Sequence, residues 1–364
     1  MINEKTTSLI HKLAEEGIVP GVSYAMIKDG YVQSEVFGME QVVPFKKKLT
    51  YGRLYDVASL TKVVGTTTLI LHLQEIGKLT VDDRVCDYLE KFSDKRVTLR
   101  HLLTHTSALT GYIKNRNELS ATELMDALYT LKVGDWFEKK VVYADIGPIL
   151  LGQIIEKIYG MPVQDAIEQE VLKPLGLKES TFIPSSDKCV PTEYTEKRGL
   201  IQGLVHDPKA FILGKHCGSA GLFMSLNDLI RFSNWMLEND PHKPVVSDAT
   251  IRSLFQDHTP NGHLGRSLGW DLRFSYDGTP CLYHTGFTGT FILIDKKRQS
   301  ALIVLTNRVH PTSDNQKFLD CRDSFTFARL RLFHNLGNFL KDFFLLTFVR
   351  IVAVNTKAAK SRRT

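Results

Sequence analysis

The sequence predicts an α+β fold, an α/β sandwich. One antiparallel sheet is assembled from both chain ends and flanked by helices, with a mostly helical region inserted between. Three observations predict it. Near the start, alternating apolar runs flank Asp29-Gly30, a two-residue hairpin signal. Beyond residue 265, LGWDLRF, PCLYHTGF, TGTFILID and QSALIVLTN are short and rich in branched and aromatic residues, and ILIDKKRQSALIVLT reads as a second hairpin. In between, over residues 80–240, apolar residues recur at spacings of three and four.

The elements follow in order. MINEKTTSLIHKLAEEG reads as an amphipathic helix with Leu9, Ile10 and Leu13 on one face. It lacks the apolar core of a signal peptide and carries acidic residues, so a cytoplasmic location is expected. Sheet segments are placed at 20–50 and 265–308. YDVASLTKVVGTTTLILHLQEIG, residues 55–77, reads as a long apolar helix headed by Ser59. In LTVDDRVCDYL, Thr80 and Asp82 are the expected helix caps. LRHLLTHTSAL, ATELMDALYTL, DIGPILLGQIIEKIYG and NDLIRFSNWML read as further helices, and Pro174-Leu175-Gly176 as a helix end. Residues 1–318 are thus one domain, and 319–364 a C-terminal helix with a basic tail. The tail's longest uncharged apolar run, 343–349, is seven residues, against the roughly 20 that span a bilayer. A packed helix with a loose basic end is the first reading of this segment, and contact with an anionic membrane surface the sharper one.

Composition excludes several classes. The chain is 43% hydrophobic and 24% charged, as a globular protein is. Its net charge of +6 lies wholly in residues 320–364, with nine Lys or Arg against three Asp. The remaining body is neutral, which argues against nucleic acid as a partner. Cys86, Cys189, Cys217, Cys281 and Cys321 are odd in number and form no CxxC, so they read as free thiols. No nucleotide-binding glycine motif occurs, and no cofactor is expected.

The chemistry is concentrated in three stretches. Ser59-Leu60-Thr61-Lys62 puts a serine one helical turn before a lysine, on the same face. The pair is either an ordinary helix start or a nucleophile with its proton acceptor. A serine hydroxyl needs a base to become nucleophilic, and burial would lower the lysine pKa toward the neutral amine. A second SxxK, Ser185 to Lys188, lies in a polar turn before Pro191 and reads as loop. VVYADIGPILLG holds Tyr143-Ala144-Asp145, 84 residues after Ser59, and CLYHTGFTGT holds His284-Thr285-Gly286, 141 residues after Tyr143. Ser-x-x-Lys, Tyr-x-(Asn or Asp) and (Lys or His)-Thr-Gly, in that order, form the motif set of the penicillin-recognising serine hydrolases.

On these motifs the chain resembles the class C β-lactamase family of serine hydrolases, which includes penicillin-binding-protein-like DD-peptidases and carboxylesterases. The resemblance covers roughly residues 5–318, and YDVASLTKVV, LRHLLTHTSALTG, KPLGLKESTF, GSAGLFMSLNDLIRF and HTGFTGT agree with it. It implies an acyl-enzyme on Ser59, with Lys62 and Tyr143 sharing proton transfer. It also implies an oxyanion hole from the backbone amides of Ser59 and Phe287, and substrate contacts from Asp145, His284, Thr285 and Gly286. The implied substrate is a small ester, amide or D-amino-acid peptide, with β-lactams as a further class. The alternatives are a DD-carboxypeptidase acting on cell-wall peptides and a non-catalytic binding relative. Oligomeric state is left open.

Asp145 departs from the Asn of many relatives. An ionised Asp cannot donate a hydrogen bond to substrate, would repel an anionic one, and would pair with Lys62 and keep it charged. Ala108 stands where relatives often carry Gly. Ser313-Asp314-Asn315 spells the SDN triplet of class A enzymes but follows HTG and reads as a turn. His101 and His105 have zinc-helix spacing without the Glu or a third ligand, so no metal is expected. His206-Asp207 and His216 read as surface or hydrogen-bonded loop residues, with a place bordering the site as the alternative.

Overall fold

The computed structural model describes residues 4–239 and 245–322. Seven antiparallel strands form the central sheet, in the order Asp271–Phe274, Pro280–Thr285, Phe291–Asp295, Ser300–Thr306, Gly21–Lys28, Tyr31–Gln41, Lys47–Lys48. The two halves of the sequence join in its middle, where Val22 pairs with Thr306 and Lys28 with Ser300. Both predicted hairpins form. Lys28 faces Tyr31 across Asp29 and Gly30, whose φ values of 50° and 79° give the turn the twist of its strands. Asp295 faces Ser300 across the second turn.

Side chains alternate across this sheet. Ala25, Ile27, Ile292, Ile294, Ile303 and Leu305 face the large core shared with the inserted helices. Tyr24, Met26, Leu293, Leu302 and Val304 face a second core. Burial on both sides explains why the central strands read as continuous apolar runs. The second core is closed by the N-terminal helix Glu4–Glu15 and by Phe318, fully buried in a helical segment at 316–322. Within Glu4–Glu15 the inward stripe is Thr6, Ile10 and Leu13; Leu9 is only half-buried, because spacing by four and three selects the other three.

The inserted region is less helical than its periodicity suggested. Ala121–Tyr129, Ile146–Tyr159 and Leu226–Met236 form as predicted, Leu99–Leu103 is a short helix, and helices fill well under half of 80–240. Long loops and small two-stranded ladders make up the rest. Gly176, at φ 64°, follows the helical stretch ending at Leu172. Thr80 and Asp82 cap nothing, since the next helix starts only at Val85. Instead the Thr80 amide and hydroxyl donate to Asp83 at 2.8 Å each, and Asp82 accepts from Arg100 at 2.7 Å. The helix after Ser59 is not uniform either. A π-helical turn, Lys62–Thr67, precedes the α-helix Thr68–Glu75. Thr66 Oγ1 in that turn donates to the Gly218 carbonyl at 2.6 Å.

All five cysteines are unpaired. From residue 323 onward the expected C-terminal helix and basic tail lie outside the described residues, as does the tail's membrane contact. Among the described residues no helix is long and apolar enough to cross a membrane. The inward stripe of the first helix is checkable by denaturant midpoint. Ile10→Ala is expected to cost about 2–5 kcal/mol, as for a buried large-to-small change, and Leu9→Ala less than half as much.

Candidate active site

Ser59 is presented by a strained turn. The short strand Tyr55–Asp56 pairs with Phe223–Met224. Ala58 then adopts a left-handed φ of 46°, and its amide donates to Asp56 Oδ1 at 2.9 Å. This swings the chain from strand to helix and leaves Ser59 half-buried at the corner.

Lys62 projects from the following turn. Its Nζ donates to Ser59 Oγ at 2.8 Å and to the Ser219 carbonyl at 2.8 Å, and meets Asp145 Oδ1 at 2.9 Å. An ammonium has three N–H groups and no lone pair, and here each has an acceptor. Burial works to lower the Lys62 pKa, but the charges of Tyr143 and Asp145 outweigh it and hold the pKa above the ordinary lysine value. Of the two expectations for Lys62, a neutral amine from burial is corrected and a cation paired with Asp145 holds, because a carboxylate in contact overrides desolvation.

Asp145 lies at the N-terminus of helix Ile146–Tyr159 but does not cap it. Its second oxygen takes Lys209 Nζ at 3.0 Å, and Lys209 also meets Asp207 at 3.2 Å. Burial works to raise the Asp145 pKa, yet Lys62 and Lys209 drive it well below the usual carboxylate range. Asp145 is thus ionised and cannot donate to substrate. The repulsion expected of a bare carboxylate is offset by Lys209. No motif marks Lys209 in the sequence; it follows His206-Asp207, and Asp207 caps the helix Pro208–Leu213 through the Ala210 amide at 2.9 Å.

Tyr143 stands over Lys62, with Nζ 5.4 Å from its ring centre, and is 48% exposed. Three groups pack round it. The rings of His105 and His284 lie 4.6 and 6.2 Å away, and Arg266 Cζ sits 5.7 Å from the ring centre. His105 Nδ1 accepts from the Ala144 amide at 3.3 Å. His284 Nδ1 lies 3.1 Å from the Thr285 carbonyl, which can only accept, so Nδ1 carries the proton. Burial first, then Arg266 and Lys62, push both imidazoles well below the usual histidine pKa, so both are neutral. His101 serves elsewhere, accepting from the Thr98 amide and meeting Glu138, each at 2.9 Å. Among the described residues no three potential ligands converge on a metal point.

The turn after strand Pro280–Thr285 closes the site. Thr285 is half-buried at the strand end. Thr288 Oγ1 donates to the Asp56 carbonyl at 2.7 Å and Thr290 Oγ1 to the Val57 carbonyl at 3.1 Å, which pins the turn to the segment presenting Ser59. A Cβ on Gly286 would strike the Val57 carbonyl, and one on Gly289, at φ 113°, the Thr306 hydroxyl. Among the described residues neither the Ser59 nor the Phe287 amide donates to a backbone carbonyl. The Phe287 ring lies between His206, at 5.6 Å, and Arg308, at 4.5 Å, and Arg308 Nε donates to the Phe287 carbonyl at 2.7 Å.

The remaining sequence candidates fall outside this cluster. His206 borders it and also meets Glu193 at 2.9 Å, whereas His216 meets Glu156 at 2.9 Å. Ser313 and Asn315 are spent on Glu193 and the Ile18 carbonyl, each at 2.7 Å. Ser185 precedes an unburied 3-10 turn, Ser186–Lys188. Ala108 has a left-handed φ of 49°, the geometry a glycine adopts freely.

Ser59, Lys62, Tyr143, Asp145 and His284 therefore converge from three distant stretches. The profile of the Beta-lactamase family matches residues 6–319. The chain belongs to the beta-lactamase family. Like the other members it is a serine hydrolase. It is 29% identical, over 82% of its length and 81% of the relative's, to a "Putative D-alanyl-D-alanine carboxypeptidase" of Escherichia coli O157:H7. Its fold is similar to that of a class C beta-lactamase (TM-score 0.71, 21% identity, 89% of this chain and 94% of the other). It is also similar to EstCE1, a hydrolase with promiscuous acyltransferase activity (TM-score 0.71, 18% identity, 88% and 97%).

Asp145→Ala in this serine hydrolase leaves Lys62 and Lys209 without their shared carboxylate. We expect a loss of about 3 kcal/mol at neutral pH, the low end for a broken buried pair because Asp145 keeps some solvent contact. A depressed carboxyl pKa contributes stability above its unfolded value and loses it as pH falls. The penalty should therefore be full above the ordinary value of 3.8 and shrink below it, as read by thermal denaturation across pH.

Proposed function

We propose that this hydrolase transfers acyl groups through Ser59, with Tyr143 as the proton acceptor and Lys62 as a fixed positive charge. The observation that carries the assignment is the saturation of Lys62. All three of its N–H groups have acceptors, one of them Ser59 Oγ itself, so it has no lone pair with which to take the Ser59 proton. Tyr143, beside the Lys62 that contacts Ser59 and open to solvent, is the group assigned to take that proton.

Ser59 Oγ attacks the carbonyl carbon as its proton passes to the Tyr143 oxygen. The oxyanion lies against the free amides of Ser59 and Phe287. Tyr143 returns the proton to the departing alcohol or amine, and the acyl group stays on Ser59. A water then attacks the ester, giving its proton to Tyr143, which passes it back to Ser59 as the acid leaves. Small esters, amides and D-amino-acid peptides suit this chemistry, and β-lactams are cyclic amides that would acylate in the same way. Asp145 takes no proton, because its two oxygens are occupied by ammonium groups. It offers substrate no donor, which favours esters over substrates that need an amide donor at this position.

The test uses a fluorophosphonate probe, a fluorescent penicillin and p-nitrophenyl esters on the purified protein. Wild type is expected to gain one adduct mass on Ser59 and to turn over the ester, with Ser59→Ala losing both. Tyr143→Phe should lower kcat by about 10²–10⁴-fold, the usual weight of a general base. No adduct with either probe, and turnover equal to Ser59→Ala, would leave a binding protein on a hydrolase fold. A penicillin adduct together with release of terminal D-Ala from a peptide would favour the carboxypeptidase reading.

A further inference from the structure

One cation at this site has no role in the proposed acyl transfer. Arg266 is 7% exposed, and its Nε and Nη2 are buried without any hydrogen-bond acceptor. The nearest acid in its own segment, Asp271, faces Arg266 across an isolated bridge, but its carboxylate accepts from Arg273 Nε at 2.9 Å. A buried guanidinium left unpaired is costly, so it calls for a specific compensation. What Arg266 does face is Tyr143, with Cζ 5.7 Å from the ring centre.

The third motif explains why a cation is wanted there. Its first position is Lys or His, and here it is His284, buried and 6.2 Å from the Tyr143 ring. His284 spends its Nδ1 proton on the Thr285 carbonyl and leaves Nε2 unpartnered. It is neutral, so it brings no charge to Tyr143, whereas a lysine would. We infer that Arg266 supplies, from the segment ahead of the edge strand Asp271–Phe274, the positive charge that a lysine would bring at position 284, and that it works with Lys62 to hold Tyr143 as the anion that accepts the Ser59 proton.

The surroundings of Tyr143 agree on every side. Lys62 comes from the helix after Ser59, His105 from the loop after Leu99–Leu103, His284 from the sheet, Arg266 from the segment before the edge strand, and Asp145 from two residues along its own chain. The two imidazoles are neutral, and the Asp145 charge is matched by Lys62 and Lys209. Among the described residues the negative groups acting on Arg266 are Asp271, whose carboxylate Arg273 shares, and Tyr143. Arg266 Nε and Nη2 have almost no surface, so these two nitrogens are not placed to grip a substrate carboxylate. Arg266 is accordingly a positioning residue acting through Tyr143.

The inference rests on the Ser59–Tyr143 reading, and the experiment separates the two. The pH profile of kcat/KM for a neutral and an anionic p-nitrophenyl ester is measured for wild type, Arg266→Met, and Arg266→Met combined with His284→Lys. Thermal midpoints are measured on the same proteins. Arg266→Met is expected to fold with an unchanged or higher midpoint, because it removes a buried cation whose Nε and Nη2 meet no hydrogen-bond acceptor. It should move the acid limb of the profile upward by about one pH unit, slowing turnover about tenfold below that limb, equally for both esters. Adding His284→Lys should bring the limb back. Three outcomes would overturn the inference: a limb that stays in place, a loss independent of pH, or a loss confined to the anionic ester. If wild type itself forms no fluorophosphonate adduct on Ser59, the underlying acyl-transfer reading fails instead.

Discussion

The Lys62 ammonium is the contact on which the site depends. It is a charge almost fully withdrawn from water, and it is tolerable only because Ser59 Oγ, the Ser219 carbonyl and the Asp145 carboxylate meet it together. Those three acceptors come from separate parts of the chain. Removing any of them leaves a buried donor unmatched, so the interaction selects one arrangement of the Ser59 turn, the 217–222 segment and the start of helix Ile146–Tyr159. A group tied at every N–H holds both its charge and its position.

The second constraint is steric. The 286–290 turn lies so close to the strand ahead of Ser59 that residue 286 has no room for a Cβ, and two threonine hydroxyls fasten the backbones together. The Ser59 and Phe287 amides, which donate to no backbone carbonyl among the described residues, are thereby set by sheet and turn rather than by a free loop. The left-handed φ at Ala58 is the strain that accompanies this presentation. It persists because Asp56 and the helix after Ser59 over-determine the corner.

Much of this was legible in the residues. Asp29-Gly30 and the branched runs announced the hairpins because turn chemistry and strand periodicity are local. Ser59, Lys62, Tyr143, Asp145 and His284 were legible because their types and order are constrained by one chemistry. Lys209, Arg266 and Ser219 were not. Lys209 and Arg266 are lone cations in irregular segments, and their meaning lies in what they touch far along the chain. Ser219 contributes a backbone carbonyl, which every residue has. The Lys62 charge could be read only from two stretches together, since the apolar helix signals burial and a neutral amine whereas Asp145, 83 residues on, signals the carboxylate that keeps the ammonium. The inserted region read as helix because its apolar spacing is helical in patches. Its loops are fixed by side-chain contacts such as Thr80 with Asp83, which spacing does not reveal.

The pairing of Gly21–Lys28 with Ser300–Thr306 sets the order in which the molecule can become itself. During synthesis the first strand is made early, apolar on both faces, and folds back on Tyr31–Gln41 along one edge only. Its other edge stays open until nearly the whole described chain has been made. The turn carrying Phe287 arrives in the same late interval, so the segment presenting Ser59 spends most of that time without the turn that is fastened to it. Such long-range closure is slow and leaves a strand edge available to other chains. A growing polypeptide of this kind therefore keeps that edge open until its last strands dock and the 286–290 turn closes on the segment presenting Ser59.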